Sequence, residues 1–121
     1  MNDVELFLRH LVEAWEERDV ESACKLFSSC KVYHETPFSG NMVIAPGGIR
    51  ELWKEIETQS DIKVGVKVAV QSDNRAAISY EAAYSVGEER VSSAGVWIVK
   101  MEAGMCVEFR QCFMLAPDGA P

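Results

Sequence analysis

Two side chains of this sequence have suitable chemistry and positions for moving protons. His34 is the histidine that falls in a predicted strand, and imidazole changes its charge near neutral pH. Glu81 lies on a later predicted strand between Ser79 and Ala83 of the same face, so its carboxylate has room to enter a cavity. We predict both as acid–base residues. The alternatives are a structural histidine bonded to backbone or carboxylate, and a Glu81 that is solvated or paired with a cation.

Other reactive arrangements are missing from the sequence. It has no GxSxG nucleophile motif, no cysteine placed beside a histidine and no CxxC pair. Cys24, Cys30, Cys106 and Cys112 are therefore expected to be free thiols, and we expect neither a metal ion nor a cofactor. Pro46-Gly47-Gly48 precedes a predicted helix; it is either an anion site or a plain loop-to-helix junction.

The composition is that of one acidic domain. The chain has 121 residues, of which 48% are hydrophobic, and a formal net charge of −7. Nucleic acids and anionic membranes bind clustered Lys and Arg, so the acidic balance argues against both partners. We see no signal-peptide pattern, and no apolar run approaches the ~20 residues of a membrane helix. We predict a single domain over residues 1–121 in the cytoplasm.

Hydrophobic periodicity predicts the helices that must position these side chains. Apolar residues from Val4 to Trp15 recur at helical spacing and predict a helix over about residues 3–17. Asp19 is a suitable N-cap for a short second helix. A third helix is predicted by the apolar residues Ile49, Leu52, Trp53 and Ile56.

The rest of the chain has the pattern of strands. Residues 31–36 predict a first strand that Pro37 closes, and a loop leads from there to the third helix. Period-2 alternation then predicts strands over residues 62–70, 75–86, 91–101 and 106–115. The order is ααβαββββ, an α+β fold with three helices packed on a curved antiparallel sheet.

The later strands carry apolar residues on both faces. Trp97 and Val99 lie on one face, and Val96 and Ile98 on the other. A sheet face without helices must meet water or a partner, so we predict a homodimer through the outer face.

Five short stretches follow one another between these elements. They are Ala14-Trp15-Glu16-Glu17-Arg18-Asp19, Glu35-Thr36-Pro37-Phe38, Gly48-Ile49-Arg50-Glu51-Leu52-Trp53, Gly95-Val96-Trp97 and Phe109-Arg110-Gln111. In that order they resemble the nuclear transport factor 2-like superfamily, in its SnoaL-like branch, over residues 4–115. The resemblance implies the cystatin-like cone of that superfamily, a fold that hosts isomerases, dehydratases, cyclases, hydrolases, ligand-binding domains and transport adaptors.

Ketosteroid isomerases of this superfamily use three catalytic positions that this chain does not fill. Their aspartate base aligns with Thr36, their oxyanion-hole tyrosine with Leu11 and their protonated aspartic acid with Gly95. Removing a proton beside a ketone needs a base and donors aimed at the oxyanion. The resemblance therefore excludes that chemistry in its known form.

The same resemblance implies which residues line a cavity between the helices and the concave sheet face. They are Trp15, Thr36, Phe38, Trp53, Gly95, Trp97, Phe109, Gln111 and Phe113, with His34 and Glu81 as the acid–base pair. The tryptophans either cover a flat apolar ligand or simply fill the core. Strand alternation points Glu35 away from the cavity, and we expect an ion pair of Arg110 with Glu35 or with Glu108 to brace the sheet. A register shift of one residue would instead put Glu35 inside in place of His34.

Three functions stay open on this sequence. We favour a small-molecule-binding domain whose internal, mostly apolar cavity holds a small hydrophobic or aromatic molecule. The first alternative is a SnoaL-like, cofactor-independent enzyme (isomerase, dehydratase, cyclase or hydrolase) that uses acid–base residues in the cavity. The second is a protein-interaction module acting through the outer sheet face.

Overall fold

Helices come first along the chain and long strands follow. The computed structural model describes residues 2–37, 42–44 and 47–117. The helices are α1 (Asp3–Glu16), α2 (Val20–Leu26) and α3 (Gly48–Trp53), and α3 continues as a 3-10 helix, Lys54–Thr58. The strands are β1 (Val32–Pro37), β2 (Met42–Ile44), β3 (Gln59–Ser72), β4 (Arg75–Val86), β5 (Glu89–Glu102) and β6 (Met105–Pro117).

The strands form one sheet in the order β2-β1-β6-β5-β4-β3. The predicted α+β architecture, three helices on a curved sheet, is confirmed. Two details differ from the prediction. Strand β2 lies where the sequence predicts a loop. A strand of three residues is too short to show period-2 alternation, so the pattern could not reveal it. Strand β1 runs parallel to β6, so the sheet is mixed rather than wholly antiparallel.

The helices cover one face of this sheet, which we call the inner face; the opposite face is the outer face. The apolar stripe of α1, from Val4 to Trp15, is buried against the inner face as its spacing predicts. Asp19 caps α2 by accepting a hydrogen bond from the Ser22 backbone N–H at 3.0 Å, as predicted. No helix among the described residues is both long and apolar enough to cross a membrane.

Alternation along the strands separates the two faces of the sheet. On β4 the buried residues are Ala76, Ile78, Tyr80, Ala82 and Tyr84, and the residues between them are more exposed. On β5 the inward Trp97 is fully buried, and the outward Val96 keeps 40% of its surface exposed. The outer face is therefore the partly apolar surface that the sequence predicts.

Gly95 of β5 lies directly against the backbone of β6. A Cβ atom built on Gly95 would lie 1.9 Å from the backbone carbonyl oxygen of Cys112. No side chain fits at that distance, so glycine is required for the two strands to pair here. The space that a side chain at position 95 would fill is thus occupied by the backbone of β6.

Candidate functional site

A pocket of about 150 Å³ lies between the inner face of the sheet and the α3 end of the helical layer. Much of its lining is aromatic: Trp15, Tyr33, Trp53, Tyr80, Tyr84 and Phe113. Its polar lining consists of Glu35, Glu55, Gln59, Ser93 and Gln111. An aromatic wall with a few convergent polar groups is the usual make-up of a small-molecule site.

Two tryptophans from different helices form the roof of the pocket. Trp15 ends the apolar stripe of α1, and its indole N–H donates to Gln59 Oε1 at 2.8 Å. Trp53 ends α3 and meets Trp15 edge to face, with ring centroids 5.9 Å apart. The Trp53 indole N–H donates to the Tyr33 hydroxyl at 3.1 Å. Each indole N–H is therefore satisfied, which holds both rings in place.

The register of β1 against β6 determines which residue of β1 enters the pocket. The two strands pair in parallel, with Tyr33 beside Phe109 and Glu35 beside Gln111. Paired residues share a face of the sheet, so Glu35 lies on the inner face with Gln111. Only 5% of the Glu35 surface is exposed.

Gln111 connects the pocket to the aromatic core behind it. Its Oε1 accepts a hydrogen bond of 2.6 Å from the Trp97 indole N–H, and its amide nitrogen donates to Glu35 Oε1 at 3.3 Å. An indole nitrogen can only donate, so Trp97 fixes which end of the Gln111 amide faces Glu35. Gln111 thus presents a donor to the carboxyl group.

The surroundings of the Glu35 carboxyl group bring its pKa close to neutral pH. Burial raises the pKa of Glu35 from 4.5 to about 7, and the negative charge of Glu55 adds to the shift. Burial also raises the pKa of Tyr80 to about 12 and that of Tyr33 well above its ordinary value. Both tyrosines therefore keep their protons at neutral pH.

Buried polar residues converge on this pocket. Tyrosine and tryptophan aside, Glu35 and Ser93 are the buried residues of polar or charged type in the described part of the chain. Both line the pocket. The Ser93 hydroxyl lies 2.7 Å from the Tyr80 hydroxyl. No group of three His, Cys, Asp or Glu within residues 2–37, 42–44 and 47–117 is arranged to hold a metal ion.

The structure brings part of the predicted cavity lining together. Trp15, Trp53, Gln111 and Phe113 line the pocket. Trp97 and Phe109 are fully buried behind it: Trp97 stacks on Tyr80, with centroids 4.5 Å apart, and Phe109 packs on the Tyr33 ring at 5.1 Å. Phe38 lies outside the described residues.

The predicted face of β1 is the reverse of the observed one. His34 and Thr36 alternate with Tyr33 and Glu35 and are absent from the pocket lining. The alternative with Glu35 inside is the observed arrangement, because pairing with β6 puts the odd-numbered residues of β1 on the inner face. Glu35 is therefore bonded to Gln111 rather than directed toward Arg110.

Glu81 also lies away from this pocket. It alternates with the buried Tyr80 and Ala82 on β4, so it is exposed on the outer face. Two depressions of about 580 and 450 Å³ surround it, beside Gly65 and Ala94 of the neighbouring strands. They are larger than the inner pocket but contain no buried carboxyl group.

Sequence reasoning missed several residues that shape the pocket. Tyr80 and Tyr84 lie with Ile78 and Ala82 on the apolar face of β4. Taking that apolar face as the inner one would have found both tyrosines. Gln59 and Ser93 carry no comparable signal, since single polar residues on strands are common.

The fold is an α+β cone, in which the helices cover one face of the sheet and enclose a pocket that contains Glu35. The chain belongs to the SnoaL-like domain family, whose model matches residues 8–109. Comparison with curated proteins found no match.

Solved structures share the fold at low sequence identity. A nuclear transport factor 2-like protein of unknown function from Shewanella oneidensis is 11% identical, with 93% of this chain and 96% of that one covered and a TM-score of 0.73. An epoxide hydrolase of M. tuberculosis described as LEH-like is 13% identical, with coverage of 92% and 82% and a TM-score of 0.68. A Catenulispora acidiphila protein of ketosteroid isomerase-like fold, in complex with trimethylamine, is 9% identical, with coverage of 87% and 82% and a TM-score of 0.69.

Proposed function

We propose that this protein is a small-molecule-binding domain whose ligand lies beneath Trp15 and Trp53, with Glu35 as its main polar contact. The observation that carries the proposal is a buried carboxyl group in a largely aromatic pocket. Burying a carboxyl group destabilises a fold unless it gains partners, and a leucine at this position would avoid that cost. A bound ligand gives the group a use that packing does not.

The pocket suits a small and mostly apolar ligand. An engineered cavity of about 150 Å³ in another protein accepts benzene, and this pocket has a similar volume. A ligand with one polar group could direct it at Glu35 or at the Tyr80 and Ser93 hydroxyls. The trimethylamine bound to the Catenulispora protein supports small-molecule binding as a use of this fold.

A thermal-shift screen against small aromatic, apolar and amine compounds tests the proposal. A ligand that binds only the native state raises the unfolding midpoint. Leu52 lines the pocket and is half-buried, so Leu52→Trp should fill it and abolish the shift. Leu6→Trp is the control, because Leu6 is an exposed residue that does not line this pocket. A ligand that shifted wild type and Leu52→Trp equally would place binding elsewhere, and a screen without any hit would count against the proposal.

An acid–base enzyme is the second candidate, and the pKa of Glu35 favours it. A carboxyl group with a pKa of about 7 can accept or donate a proton near neutral pH. The M. tuberculosis neighbour described as an epoxide hydrolase is consistent with catalysis on this fold. The catalytic roles predicted for His34 and Glu81 stay untested, and this proposal uses neither residue. If an activity is found, its pH–rate profile should bend near pH 7, and the bend should disappear in Glu35→Gln.

We also propose that the outer face forms a homodimer. Val96 and Ile98 of β5 and Met114 of β6 are exposed on this face by 40%, 36% and 58%. Pairing these surfaces would remove apolar area from water. Sedimentation should give twice the 13.5 kDa of one chain for wild type and the single mass for Val96→Glu. A wild-type chain that sediments as a monomer at micromolar concentration would refute the dimer and leave the outer face for a different partner.

A further inference from the structure

We infer that the pocket selects an organic cation with apolar substituents, such as a quaternary or tertiary ammonium group. This inference rests on the proposed function, since it names the chemical class of the ligand for that same site. Three features support it: the acidic charge of the lining, its aromatic residues, and a Glu35 that has no counter-ion among the described residues.

The charged groups of the pocket are all acidic. Glu35 lies inside and Glu55 comes from the 3-10 helix. The 12 Lys and Arg residues and the two His residues of the sequence all fall within the described ranges. None of those 14 lines the pocket within the described part of the chain. A carboxylate or phosphate ligand would therefore meet two like charges and no cation.

Glu35 has one hydrogen-bond donor and no ion-pair partner among the described residues. Gln111 supplies the donor, at 3.3 Å. A buried carboxylate that lacks a counter-ion must be neutralised by a proton or by a cation. A ligand cation inside the pocket would supply the missing opposite charge.

The aromatic residues suit the rest of such a ligand. Four aromatic residues of the lining form one cluster: Trp15, Trp53, Tyr80 and Tyr84. The ring centroid of Trp15 lies 5.9 to 6.5 Å from the ring centroids of the other three. Aromatic rings attract cations electrostatically, tryptophan most strongly, and also bury the methyl groups of an alkylammonium ion. Ring walls with a nearby carboxylate are a general way to hold a quaternary ammonium group.

The inference makes the affinity depend on pH in a definite direction. Glu35 holds its proton below about pH 7, and a cation binds its ionised form better. The other titratable groups facing it are Glu55 and the tyrosines Tyr33, Tyr80 and Tyr84. The tyrosines stay protonated in this range because burial raises the pKa of each. Affinity for a cation should therefore rise from pH 6 to pH 8, with release of about half a proton at pH 7.

Choline and 3,3-dimethyl-1-butanol form a matched pair for the test, since the alcohol has the same shape and lacks the charge. Titration calorimetry at pH 8 should show choline binding at least about tenfold more tightly than the alcohol. Glu35→Gln should reduce that preference to what the aromatic rings alone provide, and it should remove the proton release. Glu57→Gln removes the same negative charge from an exposed residue of the 3-10 helix that carries Glu55. This variant should retain both the preference for choline and the proton release.

The wild-type measurements test the inference even if a variant fails to fold. Equal binding of choline and its neutral isostere, or affinity for choline that falls as pH rises, would overturn it. If neutral aromatic compounds bind and alkylammonium ions do not, the inference fails but the proposed binding function stands. If neither class binds, both fail.

Discussion

Two glutamates on opposite faces of the sheet lie in opposite environments. Glu35 on the inner face is 5% exposed, bonded to Gln111 and surrounded by aromatic rings. Glu81 on the outer face is exposed to solvent. Both residues are glutamates on strands of the same sheet, Glu35 on β1 and Glu81 on β4, and the same alternation rule applies to each. The difference teaches that burial against the helices, not the carboxyl group itself, makes Glu35 chemically distinctive.

Gly95 gives the largest expected effect and tests how the inner face is built. Gly95→Ala should lower the free energy of unfolding by more than about 3 kcal/mol, because its Cβ would lie 1.9 Å from the Cys112 carbonyl oxygen. Urea denaturation measures the change. Gly65→Ala is the control, since its Cβ would meet nothing closer than 3.7 Å. Equal stability of Gly95→Ala and wild type would show that β5 and β6 lie further apart than described.

Glu35→Gln tests the buried one of the two glutamates, Glu35 and Glu81. Folding raises the pKa of Glu35 from 4.5 to about 7, so the native state holds the proton more tightly than the unfolded chain. Native stability should therefore fall as pH rises from about 4.5 to about 7 and then level off. Glu35→Gln lacks this loss and should be more stable than wild type by about 3 kcal/mol at pH 8 and nearly equal to it at pH 4.

Denaturation curves at several pH values between 4 and 8 measure that difference. Parallel pH profiles for the variant and wild type would mean that Glu35 titrates normally in the folded protein.

Gln111 tests the link between the pocket and the aromatic core. Gln111→Leu leaves the Trp97 indole N–H without its 2.6 Å partner, and this should cost about 1–2 kcal/mol of stability. Thermal unfolding measures the loss. Gln71→Leu removes a glutamine from the exposed part of β3 and should change stability by less than about 0.5 kcal/mol. A loss no larger than that of the control would argue that Trp97 finds another acceptor.

Glu81→Gln has the smallest expected effect and completes the comparison. An exposed carboxylate on the outer face should change the free energy of unfolding by less than about 0.5 kcal/mol, at pH 4 and at pH 8 alike. The same denaturation series used for Glu35 measures it. A pH-dependent change as large as that of Glu35→Gln would mean that the proposed dimer covers Glu81 as well as Val96, Ile98 and Met114.

The architecture could be predicted because its signals are long and repeated. The stripe from Val4 to Trp15 and the alternation of β4 each extend over three or more periods, so single exceptions do not obscure them. Strand β2 has three residues and shows no period. The parallel pairing of β1 with β6 depends on the path of the whole chain, which local pattern does not encode.

The pocket could be predicted only in part, for a physical reason. Trp15 and Trp53 belong to strong helical stripes, and their place in the roof follows from them. A shift of one residue in strand register decides whether His34 or Glu35 enters the pocket. Both faces of β1 are polar enough to permit either arrangement. A long-range pairing with Gln111 decides it. The pKa of Glu35 depends in turn on burial by groups from distant elements.

The contact between Glu35 and Gln111 has a consequence for the time order of folding. These residues are 76 positions apart in the chain, and Trp15 is 44 positions from Gln59, its partner in the roof. Contacts of such separation require large loops to close, so they form late relative to hairpins such as β3–β4. On the ribosome, the carboxyl group of Glu35 must therefore wait for almost the whole chain to emerge before it meets its partner. Until then Trp15, Trp53 and the unpaired edge of β1 are exposed, and that interval is when the nascent chain is most prone to aggregate.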